Sequence, residues 1–190
     1  MRVGQYRVPA DVATRVHTGH PWVYREALGP RGIAEETGAV VDLIAGNREF
    51  VGRGYVDREH AIAVRVLSRD QDEKVGPGKG AIAGRFARAV ELRRQLNAGT
   101  LPEALRVFSG ENEGLPGVTV DRYGDFVVVQ WYSPGALPWR DELLDAIAEA
   151  IHPRGIYEQK RLRPLGGHGP ADPAARRPNA ASGRDPQPSR

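Results

Sequence analysis

The stretch 110–130, GENEGLPGVTVDRYGDFVVVQ, restricts the fold more than any other part of the chain. Two runs rich in Val and aromatic residues, 118–122 and 126–132, flank Tyr123-Gly124-Asp125. A Gly/Asp turn between such runs predicts a β-hairpin, because glycine adopts the required backbone without strain. The loop in front of it is punctuated by Gly110, Gly114, Pro116 and Gly117, so the backbone can bend sharply there. It should also bring Glu111, Glu113, Asp121 and Asp125 close together, which reads most simply as an ordered turn carrying solvated acids.

Before this block the chain reads as a small β-rich unit, residues 1–72. A short strand at 6–8 and a brief helix at 9–18 come first, the helix ended by Gly19 and discouraged from continuing by Pro21. After HPWVY at 20–24 and a Gly/Pro loop, strands are predicted at 39–45, 49–57 and 61–68, and Gly46-Asn47 makes the first two a hairpin. Short strands at this spacing suggest a compact barrel-like sheet. The hydrophilic stretch 69–80, RDQDEKVGPGKG, reads as a linker or long loop.

A second unit, 73–163, follows. A helix is predicted over 81–96, with Ile82, Phe86, Ala89 and Leu96 on one apolar stripe. The slot that would complete the stripe is Arg93. A guanidinium centred on an apolar face is costly unless paired. A structural ion pair is therefore expected, with Glu111, Glu113 or Asp121 as the partner. A strand at 105–108, the hairpin, a helix at 139–151 and a strand at 155–159 complete the unit. Pro138 suits the start of that helix, its buried face is Leu143, Leu144, Ile147 and Ile151, and His152, Pro153 and Gly155 end it. The fold class is α+β: a small barrel, then a helix-plus-mixed-sheet domain.

Residues 166–190 contain no Val, Ile, Leu, Met or aromatic residue. Such a segment cannot bury enough apolar surface to offset the entropy of ordering, so 164–190 is expected to be a disordered tail. The tail also carries part of the charge. The whole chain has a formal net charge of +3, of which four Arg and two Asp after residue 165 supply +2. With a body near +1, overall charge is weak support for nucleic-acid binding, which has to come from local clustering.

The chain has no cysteine, which rules out disulfides, thiolate metal sites and a cysteine nucleophile within it. No run approaches the roughly 18 apolar residues that span a bilayer, and the N-terminus lacks an apolar signal core. A cytoplasmic protein without membrane contact is the expectation. GPGKG at 76–80 lacks the spacing of a phosphate loop or a dinucleotide fingerprint. His17 and His20 have metal-like spacing, but no third ligand follows at a recognisable offset, so no metal is expected. What remains is RNA contact. Trp22, Tyr24 and Tyr55 could stack on bases, and Arg25, Arg53 and Arg65 could meet phosphates. Arg85, Arg88, Arg94, Lys160, Arg161 and Arg163 add a second basic supply.

GHPWVYREAL at 19–28, FVGRGYVD at 50–57, IAVRVLSRD at 62–70 and the 110–130 block together resemble one family. It is the large-subunit ribosomal RNA methyltransferases that place a methyl group on carbon 5 of cytosine. Glu91-Leu92-Arg93 within the 85–96 helix also matches the pattern of that family's central domain. The resemblance covers about residues 3–163. It implies an N-terminal PUA domain, a central α/β domain and a C-terminal Rossmann-like domain that uses S-adenosylmethionine, with ribosomal RNA as partner. The resemblance stops near Leu165, so the third domain, its cofactor site and its cysteine nucleophile are expected to be absent from this chain. The chain is then the RNA-positioning part of such an enzyme, with a face left to pack against a missing or separately encoded methyltransferase domain; the alternative is a non-functional remnant. The abrupt Arg/Pro/Ala/Gly/Ser composition of the tail resembles GC-rich DNA read out of frame, or an interdomain linker cut short.

Overall fold

The first sheet is built from short strands whose order in space differs from their order in sequence. In the computed structural model, which describes residues 3–29 and 32–162, β1 (Gly4–Arg7), β2 (Trp22–Tyr24), β3 (Val40–Ile44), β4 (Phe50–Val56) and β5 (Ile62–Ser68) form a sheet ordered β1-β3-β4-β5-β2. The pair β3–β4 is the hairpin expected from Gly46-Asn47, β1 runs parallel to β3, and β2 is antiparallel to β5. The expected barrel does not close. Its two edges would be β1 and β2, of four and three residues, and each pairs inward only. Helix α1 (Ala10–His17) follows Pro9, buries Val12, Ala13 and Val16 against this sheet, and ends at Gly19, whose φ is +111°.

The second sheet has the order β6-β7-β8-β9, from Ala104–Ser109, Val118–Tyr123, Phe126–Trp131 and Gly155–Lys160. A single helical turn, α3 (Gly110–Glu113), leads to its hairpin, which pairs Tyr123 directly with Phe126, and β9 returns parallel to β8 after helix α4 (Arg140–Ile151). Helix α2 (Ala81–Leu96) has the bounds expected from its periodicity. Its buried face is Ile82, Arg85, Phe86, Ala89 and Val90; Leu96, expected on the apolar stripe, is instead exposed in the last turn. In α4, Leu143 and Ile147 are fully buried, while Leu144 and Ile151 are half-buried at its margin. His152 ends α4 in the left-handed region. Pro138 lies in a 3-10 turn, Pro134–Trp139, just ahead of the helix.

The polar stretch 69–80 is no free linker. Its single apolar residue, Val75, is buried in the second core, and its carbonyl accepts from Trp139 Nε1 at 3.0 Å. Glu73 takes the Arg85 guanidinium at 2.7 Å and the Ser68 hydroxyl at 2.5 Å. The GPGKG glycines lead into α2, whose first amides are taken by a carboxylate. Glu142 Oε1 accepts from the amides of Ile82 and Ala83 at 2.9 and 3.2 Å, and Oε2 from Gly78 at 3.1 Å. The amide cradle that a phosphate would need is thus already occupied from within the fold.

Tyr55 of β4 and Leu67 of β5 belong to the same apolar cluster as Phe86, Phe108, Trp131 and Trp139 of the second unit. The two sheets therefore share a core instead of hanging on a tether. Residues 163–190, among them Arg163, His168 and the segment expected to be a tail, lie outside the described residues.

Candidate nucleic-acid interface

The six residues expected to meet RNA divide into two groups, according to whether the fold has already taken up their side chains. Tyr55 cannot stack on a base: it is fully buried, its ring lies 5.5 Å from that of Trp139, and its hydroxyl donates to the Pro116 carbonyl at 2.5 Å. Burial pushes the phenol pKa up, so the hydroxyl remains a donor. Arg65 cannot meet a phosphate either. Its side chain is 5% exposed and lies 3.7 Å from Asp57 and 3.8 Å from Glu111. Arg53 is bound at 2.7 and 3.2 Å to the Asp42 carboxylate and donates to the Gln71 and Glu73 carbonyls, which leaves one N–H of five. All three are junction residues. The β4 and β5 strands that carry them face the second unit or the segment joined to it, where an unpaired ring or guanidinium would not be tolerated.

Trp22, Tyr24 and Arg25 remain available. They lie on and just after β2, the edge strand, where Tyr24 is exposed and Trp22 and Arg25 are half-buried. Trp22 is held edge-on between His20 and Tyr24, with centroid separations of 5.8 and 6.5 Å. His20 Nδ1 also accepts from the Trp22 amide at 3.2 Å. Arg25 donates to the His60 carbonyl at 2.9 Å and to that of Arg58, and meets no carboxylate among the described residues. His60 is kept below its ordinary pKa by burial and then by the Arg65 charge, so it adds no second positive charge near neutral pH. Beside Tyr24 a cleft of about 380 Å³ opens towards Arg15 of α1.

A larger groove, about 480 Å³, runs between the end of β5 and α2. Four arginines line it: Arg69, Arg85, Arg88 and Arg93. Arg85 and Arg93 are matched by Glu73 and Glu113. Arg69 is held by the carbonyls of Val16 and His20, and Arg88 is exposed; neither meets a carboxylate among the described residues. These two guanidinium charges, with the β2 aromatics, are what this surface offers an anion with stacking bases. Arg88 is among the basic residues expected to meet RNA, whereas Arg69 falls in the stretch expected to be a linker. The signal for Arg69 is its position: it directly follows a strand that is buried along its whole length.

The expected acidic cluster is dispersed. Glu113 meets Arg93 at 2.6 Å and also accepts from the Ser109 amide at 2.6 Å. Glu111 faces Arg65 and accepts from the Gly117 amide at 3.1 Å. Asp121 meets Arg106 at 2.8 Å, and Asp125 lies 3.9 Å from Arg154. Each carboxylate has its own arginine, and no group of three or more metal-ligating side chains occurs among the described residues. Glycine is required twice in this block. A Cβ on Gly110 would overlap the Leu115 and Val118 carbonyls, and Gly117, at φ +83°, faces Ser133 and the Tyr55 hydroxyl. The block is a clasp between the two units. No helix among the described residues is long and apolar enough to cross a membrane.

Residues 7–69 match the family described as PUA-like domain. The chain is 33% identical over 141 residues to ribosomal RNA large subunit methyltransferase I of Shewanella denitrificans, covering 74% of this chain and 35% of that protein. It is 30% identical over 156 residues to YwbD of Bacillus subtilis, described as a ribosomal RNA large subunit methyltransferase, covering 81% and 39%. A solved Streptococcus mutans structure, described as a SAM-dependent methyltransferase, shares the fold with a TM-score of 0.71 at 22% identity, over 84% of this chain and 41% of that one. A crystal structure described as a methyltransferase complexed with SAH gives the same score. The chain spans 35–39% of the length of these curated relatives. Its first unit is thus a PUA-like domain, and the chain is homologous to part of the ribosomal RNA large subunit methyltransferases.

Proposed function

We propose that this chain is the RNA-positioning part of a SAM-dependent cytosine-5 methyltransferase acting on large-subunit ribosomal RNA in the cytoplasm. Residues 1–72 serve as the RNA-binding domain and 73–163 as the central domain that orients it. The observation that carries this reading is the pairing of a PUA-like sheet, clasped to a second unit, with a sequence devoid of cysteine. Carbon 5 of cytosine takes a methyl group only after a thiolate adds to the neighbouring carbon and generates an enamine. The residues here can hold and orient RNA, while the thiol and the methyl donor belong to a catalytic domain supplied by a longer product or a separate chain.

Contact is assigned to Trp22, Tyr24 and Arg25 at the β2 edge, with Arg69 and Arg88 in the adjoining groove. Fluorescence anisotropy with a structured large-subunit RNA fragment tests this. Two to three phosphate contacts predict an affinity loss of about tenfold to a few tens between roughly 50 and 200 mM salt. Tyr24→Ala removes an exposed ring and weakens binding by about tenfold, the value of one stacked base. Salt-insensitive binding, or none to the naked RNA, contradicts the reading.

A further inference from the structure

His20 is tied to the fold through its amide, its carbonyl and its side chain. Helix α1 ends in a Schellman arrangement, in which the Gly19 amide donates to the Val16 carbonyl at 3.0 Å and the His20 amide to that of Arg15 at 2.9 Å. The backbone of His20 is thus fixed before its imidazole contributes anything. Pro21 then limits it to an extended course into β2. Its carbonyl accepts from the Arg69 guanidinium at 3.1 Å.

The imidazole meets a need of Trp22. The Val66 amide donates to the Pro21 carbonyl at 2.8 Å, and bonded positions alternate along an antiparallel pair, so Trp22 and Arg65 face each other as a non-bonded pair. The Trp22 N–H and carbonyl therefore point off the sheet, at the free edge of β2. His20 Nδ1 covers both, 3.2 Å from the amide nitrogen and 3.1 Å from the carbonyl oxygen, accepting from the one or donating to the other according to its tautomer. The same imidazole meets the Trp22 ring edge-on at 5.8 Å. One side chain sets both the backbone and the ring of Trp22, while the carbonyl of the same residue holds Arg69.

We propose that His20 is the positioning residue of the RNA interface: it fixes Trp22 beside Arg69, so that a stacked base and a phosphate of one RNA segment are met together, and it makes no contact with RNA itself. The inference rests on the reading of the β2 edge and its groove as the RNA interface, and adds the residue that joins the two. A loose ring has to be ordered when RNA binds, whereas a held one has already lost that freedom. Contact of a side chain with the backbone two residues on is the geometry of an Asx turn, which asparagine makes readily. Asparagine also carries an acceptor and a donor at the branch where Nδ1 lies. Phenylalanine keeps a ring against Trp22 but has neither. The two substitutions therefore separate the hold on the peptide from the packing of the rings, and the peptide is what the strand register leaves otherwise unmet.

The test reads the anisotropy of a labelled, structured large-subunit RNA fragment and, without RNA, the fluorine NMR spectrum of the chain carrying fluorotryptophan at its three Trp positions. Trp131 and Trp139 are fully buried, and Trp22→Phe identifies the third line. His20→Ala weakens RNA binding by about fivefold, the worth of one hydrogen bond, and narrows the Trp22 line alone as the ring gains motion. Its melting temperature stays within about 2 °C of the parent, because the α1 cap is made by the backbone. His20→Asn restores affinity to within about twofold and keeps the parent line width, whereas His20→Phe binds as weakly as His20→Ala. In a Trp22→Ala background, itself weaker by about tenfold, His20→Ala adds less than about twofold. Parent affinity in His20→Ala, an equal loss in His20→Asn, or rescue by His20→Phe overturns the proposal. So does an undiminished effect of His20→Ala in the Trp22→Ala background, which places His20 in direct contact with RNA. If the parent chain binds no RNA, the interface itself falls and the proposal with it; a Trp22 line that still responds to His20→Ala then separates that failure from an error in the His20–Trp22 geometry.

Discussion

Replacing Asp57 with alanine destabilises the folded chain by about 3–5 kcal/mol, the cost of leaving a buried countercharge alone. Asp57 is fully buried. One of its oxygens accepts from Ser133 Oγ at 2.6 Å and lies 3.7 Å from Arg65 Nε; the other has no partner. Arg65 Nε likewise lacks a hydrogen bond, and its guanidinium reaches Glu111 at only 3.8 Å. With geometry this loose, mutual attraction does not fully repay the desolvation of the two charges. The pair is therefore worth little as a pair, while either half alone is strongly unfavourable. Two consequences separate this account from a simple salt bridge. Urea unfolding of Asp57→Ala shows the loss as a lower midpoint, and adding Arg65→Met to Asp57→Leu recovers a large part of it. Since Asp57 and Arg65 come from the PUA-like sheet, and Glu111 and Ser133 from the second unit, the loss is expected in the junction. Transitions that stay concerted in the parent should separate in the variant, read by fluorescence and circular dichroism.

Trp139→Ala has an effect of the same order, about 3–5 kcal/mol, for a different reason. Trp139 is fully buried at the start of α4, beside the Tyr55 ring, and donates to the Val75 carbonyl at 3.0 Å. Its removal opens a cavity where α4, β4 and the connecting segment meet, and leaves a backbone carbonyl unpaired. For a chain of this size each kcal/mol shifts the melting temperature by about 2–4 °C, so a fall of roughly 6–20 °C is expected in differential scanning calorimetry. Tyr55→Phe, which removes only the hydroxyl bonded to Pro116, should cost about 1 kcal/mol. If Trp139→Ala melted within 3 °C of the parent, the shared core would not exist in solution.

Much of the secondary structure was legible because it rests on local signals. Gly46-Asn47 and Gly124 mark the two hairpins, and the α2 stripe gives that helix its bounds. Arg93 was legible too, since a charge on an apolar face has to find a partner, and it meets Glu113. The same logic applies to Arg65, a guanidinium inside a wholly buried strand. It was missed because a continuous apolar run has no period to show that the arginine points inward. Val75 was missed because eleven polar, charged or glycine and proline neighbours hide the one side chain that anchors the segment. The acids of the 110–130 block looked like a cluster because they are close in sequence. Their arginines come from β5, β6, α2 and the turn before β9, and only the tertiary fold reveals those partners. The barrel expectation failed on strand pairing, which element spacing does not determine.

The most direct test of the whole account is a single incubation of the purified chain with large-subunit RNA and methyl-labelled S-adenosylmethionine, followed by recovery of the protein–RNA complex. The account predicts RNA retained with the protein in a salt-dependent manner and no label in that RNA. Label transferred to RNA by this chain alone, or no RNA retained at low salt, would contradict it.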